Sequence, residues 1–156
     1  MKEAKGNIWY MRGDAICITT NGFIKKNGEL VMGRGIAKEA KDQFPSIAKT
    51  LGHKVSQHGN HVHILFEAIG HYNGHDGTEW YQDIVSFPVK HNWWEVADME
   101  LIRRSSRELM KWADELPHWE NVLLPRPGCG NGKLNWIDVK REIENILDDR
   151  VTVVTF

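Results

Sequence analysis

The sequence predicts a three-layer α/β/α sandwich on a mixed, mostly parallel central sheet. Short apolar runs rich in β-branched residues recur along the chain, amphipathic helical patterns alternate with them, and several runs lack the alternation of a strand with one wet face.

In chain order, a weak strand is expected at residues 7–10 (NIWY) and a strong one at Ala15–Thr20 (AICITT). Gly35 opens a helix over residues 35–44 that Pro45 stops, and a short helical turn over residues 46–51 is closed by Gly52. Strands follow at residues 62–69 (VHILFEAI) and 83–87 (DIVSF). From Met99 onward, Met99, Ile102, Ser106, Leu109, Ala113 and Leu116 recur at spacings of three and four, one face of an amphipathic helix ending before Pro117. After a strand at residues 121–124 (NVLL), Asn135 caps a helix that carries Asp138 in its first turn and runs through Leu147. Val151–Thr155 (VTVVT) is the last strand.

With 156 residues, 41% hydrophobic and 26% charged, and no repeat or long linker, residues 1–156 are expected to form one domain. Twenty basic against twenty-one acidic side chains give a net charge of -1, which excludes the broad basic footprint of a protein that grips many nucleic-acid phosphates. The polar start MKEAKGNIWY and the lack of an apolar run of about 18 residues predict neither a secretory peptide nor a membrane span, so a cytoplasmic monomer is the expectation. Cys17 and Cys129 belong to no C-x-x-C pair and read as reduced packing residues.

In open α/β sheets, ligands sit at the C-terminal ends of strands, where loops converge and helix N-termini present unpaired N–H groups. Three loops share that rim if their strands run parallel: Asn21-Gly22 directly after AICITT, Lys90 beyond Phe87, and Arg126 to Lys133 (RPGCGNGK) after NVLL. The segment Met32-Gly33-Arg34-Gly35-Ile36-Ala37 opens a helix with two glycines, whose N–H groups have no Cβ between them and an anion. Neither glycine segment fits a nucleotide signature: G-x-G-x-x-G fails at Lys38, and GCGNGKLN cannot be laid on G-x-x-x-x-G-K-[ST]. Two glycine loops on one rim suggest a phosphate-bearing ligand held by backbone donors; the alternative is tight turns that merely need positive φ. Lys90 suits attack on an aldehyde or binding of a phosphate, although an exposed lysine that solvates the surface is the commoner case. His61 and His63, with His71 and His75, make a metal cluster conceivable, but the stretch is Gly/Asn/Asp-rich and lacks a cysteine ligand, so polar edge and loop residues are the better reading. No metal or cofactor is expected.

The segments Asp14 to Asn21 (DAICITTN), Met32 to Lys38 (MGRGIAK), Phe87 to Lys90 (FPVK) and Gly128 to Trp136 (GCGNGKLNW), in this order, resemble the macrodomain family over nearly the whole chain. The pattern looks closest to the branch of DNA ADP-ribosyl glycohydrolases and terminal ADP-ribose protein glycohydrolases. The resemblance implies an enzyme that binds ADP-ribose and hydrolyses ADP-ribosyl linkages, its partner being ADP-ribose or an ADP-ribosylated DNA or protein. It places Asn7 and Ile8 near adenine, with Phe156 stacked on the base or closing the core. Asn21, Met32, Gly33, Arg34, Gly35 and Ile36 would lie near the distal ribose and phosphates, and Gly128, Cys129, Gly130, Asn131 and Gly132 would form the second phosphate loop.

Lys90 matches the catalytic lysine of that branch. It would engage C1″ of the distal ribose, as a transient Schiff base or as an electrostatic and acid/base group, while Asn21 orients the ribose hydroxyls. The same loops would serve a reader that binds without cleaving, or a phosphatase acting on ADP-ribose 1″-phosphate. The chain departs from the family in three ways. Asn7 stands where many members have an aspartate that accepts from the adenine amino group; the aspartate that the terminal glycohydrolases place near Gly132 to pair with the lysine is absent, as it is from the DNA-directed pattern, which also has glycine there; and residues 23–31 (FIKKNGELV) are longer than the usual link, expected to fold over the ligand or touch a partner.

Overall fold

The computed structural model describes residues 1–71 and 79–156. Among these, six strands form one sheet: β1 (Lys2–Lys5), β2 (Ala15–Thr20), β3 (Ile64–His71), β4 (Glu79–Pro88), β5 (Val122–Pro125) and β6 (Val151–Thr155), in the order β1-β6-β5-β2-β4-β3. Neighbours run parallel except β3, an antiparallel edge strand on β4. Four helices pack on it: α1 (Gly35–Gln43), α2 (Ile47–His58), α3 (Met99–Glu115) and α4 (Trp136–Ile143).

The two faces of β2 explain the layers, because successive side chains on a strand point to opposite sides. Ala15 and Cys17 join Phe87, Val122 and Leu124 in a core with Ile102 and Leu109 of α3 and Val139 and Ile143 of α4. Ile16 and Ile18 join Ile84 and Leu123 on the other face, with Ala37 and Ala40 of α1 and Leu51 and Val55 of α2. Both faces are buried, so AICITT carries no alternation, and the three-layer sandwich follows. On α3 the expected stripe is inward: Ile102, Ser106, Leu109 and Ala113 are all buried.

Several elements differ from the sequence reading. Residues 7–10 are not a strand: Ile8–Tyr10 make a 3₁₀ turn, with Asn7 Oδ1 accepting from the Trp9 N–H at 3.1 Å. The first strand is β1, mostly exposed and without a hydrophobic signal; it forms because β6 offers it a parallel partner, from Lys2 opposite Thr152 to Lys5 opposite Thr155. Helix α4 stops at Ile143, and turns cover the stretch to Leu147. Strand β3 begins at Ile64, so His61 and His63 lie before it: His61 Nδ1 sits 2.8 Å from Glu108 Oε2, and His63 Nε2 is 2.9 Å from the Gly59 carbonyl. Among the described residues no group of three His, Cys, Asp or Glu is arranged to hold a metal ion, and His75 lies outside them. Nor, among them, is any helix long and apolar enough to cross a membrane.

The largest correction concerns Gly52, which does not end a helix. Helix α2 runs on to His58, where Gly59 at φ 91° closes it. Gly52 is buried mid-helix because residues 28–30 cross it: a Cβ there would lie 2.0 Å from the Gly28 carbonyl oxygen. The crossing chain belongs to the 23–31 segment, in which Ile24 bridges Leu30, the Val31 N–H donates to Phe23 O at 3.0 Å, and the buried Leu30 donates its N–H to Ala48 O of α2 at 2.9 Å. The segment thus folds onto α2.

A Gly52→Ala substitution is expected to destabilise the protein by about 1–3 kcal/mol through overpacking. In an ordinary helix interior the same change stabilises by about 1 kcal/mol. Urea denaturation reads the sign.

Candidate functional site

The parallel pairing of β2 with β4 sets Thr20 opposite Pro88, and its pairing with β5 sets Ile16 opposite Leu123, so the chain leaves all three strands at one rim. A cavity of about 580 Å³ opens there. Asn21, Lys90 and the turn from Gly128 to Lys133 line it, and Met32, Gly33, Arg34, Gly35, Ile36 and Ala37 form a further wall. The structure therefore brings together both glycine segments, Asn21 and Lys90.

Two walls present main-chain donors. Helix α1 starts without a side-chain cap at Arg34, and the 3₁₀ turn Gly130–Gly132 starts without one at Cys129. The first N–H groups of such turns have no partner inside them and are free for an anion. By contrast α3 and α4, whose starts do not line the cavity, are capped by Asp98 and Asn135 side chains; α2, uncapped at Ser46, starts elsewhere. In the second loop Gly128 (φ 76°) and Gly130 (φ 77°) adopt the left-handed backbone that favours glycine. Gly33 has no such need. Its added Cβ would meet nothing within 4 Å, so open space adjoins it at the cavity wall.

The lining also gathers charge. Arg34, Lys90, Arg126 and Lys133 face a single carboxylate, Glu95, in a chain whose net charge is -1. Lys90 Nζ donates to the Asn131 carbonyl at 3.1 Å and the Trp93 carbonyl at 3.4 Å. Burial holds its pKa below the ordinary lysine value, Lys133 and Arg34 lower it further, and Glu95 opposes them. Its main chain is braced too: Asn60 Nδ2 donates to the Lys90 carbonyl at 3.0 Å, and Arg104 donates to the Asn60 carbonyl.

Asn21 is committed at both ends of its amide, Nδ2 donating to Val31 O at 3.0 Å and Oδ1 accepting from the Phe23 N–H at 2.9 Å. It ties both ends of the 23–31 segment to the end of β2. One amide N–H and one lone pair remain for a ligand. Cys129 is half-buried, and burial pushes its thiol pKa up, which makes it a poor nucleophile. Cys17 is fully buried, and neither cysteine is in a disulfide.

Asn7, Ile8 and Phe156 do not line this cavity. Ile8 is buried in the core on the α1–α2 side, and Asn7 caps its 3₁₀ turn. Phe156 is 85% exposed and follows Thr155, which lines a second recess of about 210 Å³ together with Glu3, Lys5 and Arg126. Gly6, next to Asn7, donates its N–H to the Thr155 carbonyl at 2.8 Å, so this end of the chain gathers beside that recess. Arg126 lines both cavities and lies 5.0 Å above the Trp136 ring. Sequence reasoning missed Trp93 and Trp94 as lining residues, and it placed Arg126 and Lys133 in a rim loop without giving either a role. The signal for the tryptophans was two adjacent aromatic residues three and four positions after Lys90, outside any helical or strand period.

No family model matches the chain. A Thermus aquaticus protein named DNA ADP-ribosyl glycohydrolase is 30% identical over 150 residues; the match takes in 95% of this chain and 38% of that relative, so the chain spans well under half of its length. Among solved structures, the macrodomain of Thermus aquaticus DarG superposes with a TM-score of 0.69 at 27% identity, covering 99% of this chain and 97% of that one. Thermosipho africanus DarTG, solved in complex with ADP-ribose, gives a TM-score of 0.72 at 17% identity, covering 98% of this chain and 41% of that one.

Removing a cation beside Lys90 should relieve the repulsion that depresses its pKa. In a Lys133→Gln protein the Lys90 titration, followed by NMR of the side-chain Cε, is expected to move to higher pH, and in Glu95→Gln to lower pH. The reverse order would mean that the charges around Lys90 are arranged otherwise.

Proposed function

We propose, from the premise that this chain belongs to the macrodomain family, that it binds ADP-ribose in the 580 Å³ cavity and hydrolyses an ADP-ribosyl linkage with Lys90. The observation that carries this reading is the convergence, at one rim, of two uncapped N–H turns, the cationic side chains Arg34, Arg126 and Lys133, and the Lys90 amine, whose pKa is depressed. A diphosphate fits such a site because backbone donors and cations stabilise its charge without reorganising. Macrodomain relatives named for ADP-ribosyl hydrolysis on DNA, and one solved with ADP-ribose, support the same ligand.

In the proposed arrangement the diphosphate lies between the start of α1 and the Gly130–Gly132 turn, with Arg34 and Lys133 as counter-charges. Adenine lies toward the second recess, near Asn7 and Phe156, with Arg126 between the two cavities. The distal ribose lies beside Asn21 and Lys90. Hydrolysis adds water at C1″, breaks the bond from C1″ to the modified group and returns a proton to that group. On the covalent route the neutral Lys90 amine forms a Schiff base with C1″ as the bonds from C1″ to the ring oxygen and to the modified group break, its two protons passing to that oxygen and that group; water then adds to the Schiff base, releasing the aldehyde and restoring the amine. A depressed lysine pKa raises the neutral fraction at a given pH, so Lys90 is suited to this step.

A binding-only reading draws on one observation. Lys90 Nζ already donates to two carbonyls, as a charged ammonium held against phosphate would.

Lys90→Ala separates these readings: turnover on an ADP-ribosylated substrate is expected to fall about 10²- to 10⁴-fold, with the ADP-ribose Kd from calorimetry changed only a few-fold. A variant with full turnover removes Lys90 from the chemistry. If the free amine acts, kcat/KM rises with pH along a limb whose midpoint lies below 10.5. Gly33→Ala, whose methyl meets no protein atom within 4 Å, should leave the unfolding free energy within about 0.5 kcal/mol of wild type and, with the diphosphate placed as proposed, weaken ADP-ribose about tenfold or more.

A further inference from the structure

We propose that Trp93 and Trp94 form a subsite for the group on the far side of the scissile bond, an aromatic ledge on which a nucleobase of an ADP-ribosylated single strand stacks. This rests on the reading that Lys90 marks C1″ of the bound sugar.

Eight large apolar side chains are exposed among the described residues, and three of them, Trp93, Trp94 and Val96, lie in one short stretch that lines the cavity. Isolated exposed apolar residues are ordinary; a cluster at a ligand cavity is a candidate contact surface. The ledge adjoins the amine, because the Trp93 carbonyl accepts from Lys90 Nζ. Its loop is anchored at both ends: the Gly22 N–H donates to His91 O at 3.1 Å, the Ala97 N–H to Gly132 O at 3.0 Å and the Asp98 N–H to Val89 O at 2.9 Å. The two indoles, 51% and 59% exposed, are therefore displayed by a tied loop. Their centroids are 5.5 Å apart at 89°, and Phe23 meets Trp94 edge-on at 5.5 Å and 68°, which sets the orientation of the Trp94 ring.

A flat base offers such a ledge a π-face to stack on, whatever its sequence. A modified glutamate or serine offers none. Charge agrees with a strand: Lys25 and Lys26 follow Phe23, whose ring meets Trp94, and neither is needed for the diphosphate. The net charge of -1 limits this to a short contact of one base and its adjoining phosphates.

The test compares wild type, Trp93→Ala, Trp94→Ala and Trp94→Phe on a single-stranded oligonucleotide ADP-ribosylated on one base and on an ADP-ribosylated protein, with calorimetry on free ADP-ribose. The main-chain oxygen that holds Lys90 survives in every variant. For each alanine variant, kcat/KM on the oligonucleotide is expected to fall about 5- to 150-fold, mainly through KM. That fall should be at least about fivefold greater than the change in ADP-ribose Kd or the fall on protein, and Trp94→Phe should recover most of it. An equal fall on both substrates, or none, overturns the ledge; so does a loss confined to the protein substrate, which would assign the indoles to a polypeptide. If wild type releases ADP-ribose from neither substrate, the hydrolase reading fails by itself. The ledge is then decided by equilibrium binding of the same modified oligonucleotide, where the alanine variants must show the same selective loss for it to stand.

Discussion

The parallel pairing of β2 with β4 on one side and β5 on the other is the constraint on which everything else depends. Parallel neighbours must end at the same edge, so the loops that leave Thr20, Pro88 and Pro125 are forced together although they lie far apart in the chain. Because β2 is central and buried on both faces, its register cannot slip by one residue without exchanging Ala15 and Cys17 for Ile16 and Ile18 between two differently shaped cores. The location of the cavity is thus fixed by core packing.

At that edge, donors and charges are concentrated by local means. Side chains cap α3 and α4, whereas α1 and the Gly130–Gly132 turn, which face the cavity, keep their first N–H groups uncapped. Lys90 sits between them with its amine on two carbonyls and its main chain braced by Asn60. Partial burial and neighbouring cations both disfavour its charged form, and the same cations make this rim electropositive. One arrangement therefore sets both the charge of the rim and the tuning of the amine.

Asn21 links this chemistry to the shape of the rim. By holding Phe23 and Val31 it closes the 23–31 segment on itself, and the segment in turn sets Phe23 against Trp94 and crosses α2 at Gly52. Trp93 and Trp94 give the cavity aromatic surface, and Arg126 lines both this cavity and the recess by β1 and β6.

The sequence by itself determined the layer order, because burial on both faces leaves apolar runs without alternation and the helices keep their 3.6-residue stripe. It also marked Asn21, Gly33, Gly35, Lys90 and the Gly128–Gly132 run, since strand ends and glycine-rich turns are written locally in residue type. Tertiary structure decided the rest. Strand β1 exists only because β6 pairs with it, Gly52 is glycine only because a distant loop crosses its helix, and Asn7 caps a turn that its apolar neighbours disguised as a strand. Trp93 and Trp94 became cavity residues, and Arg126 a bridge between two recesses, through contacts between segments separated in the chain. Such contacts have no period or motif, so only the folded chain could reveal them.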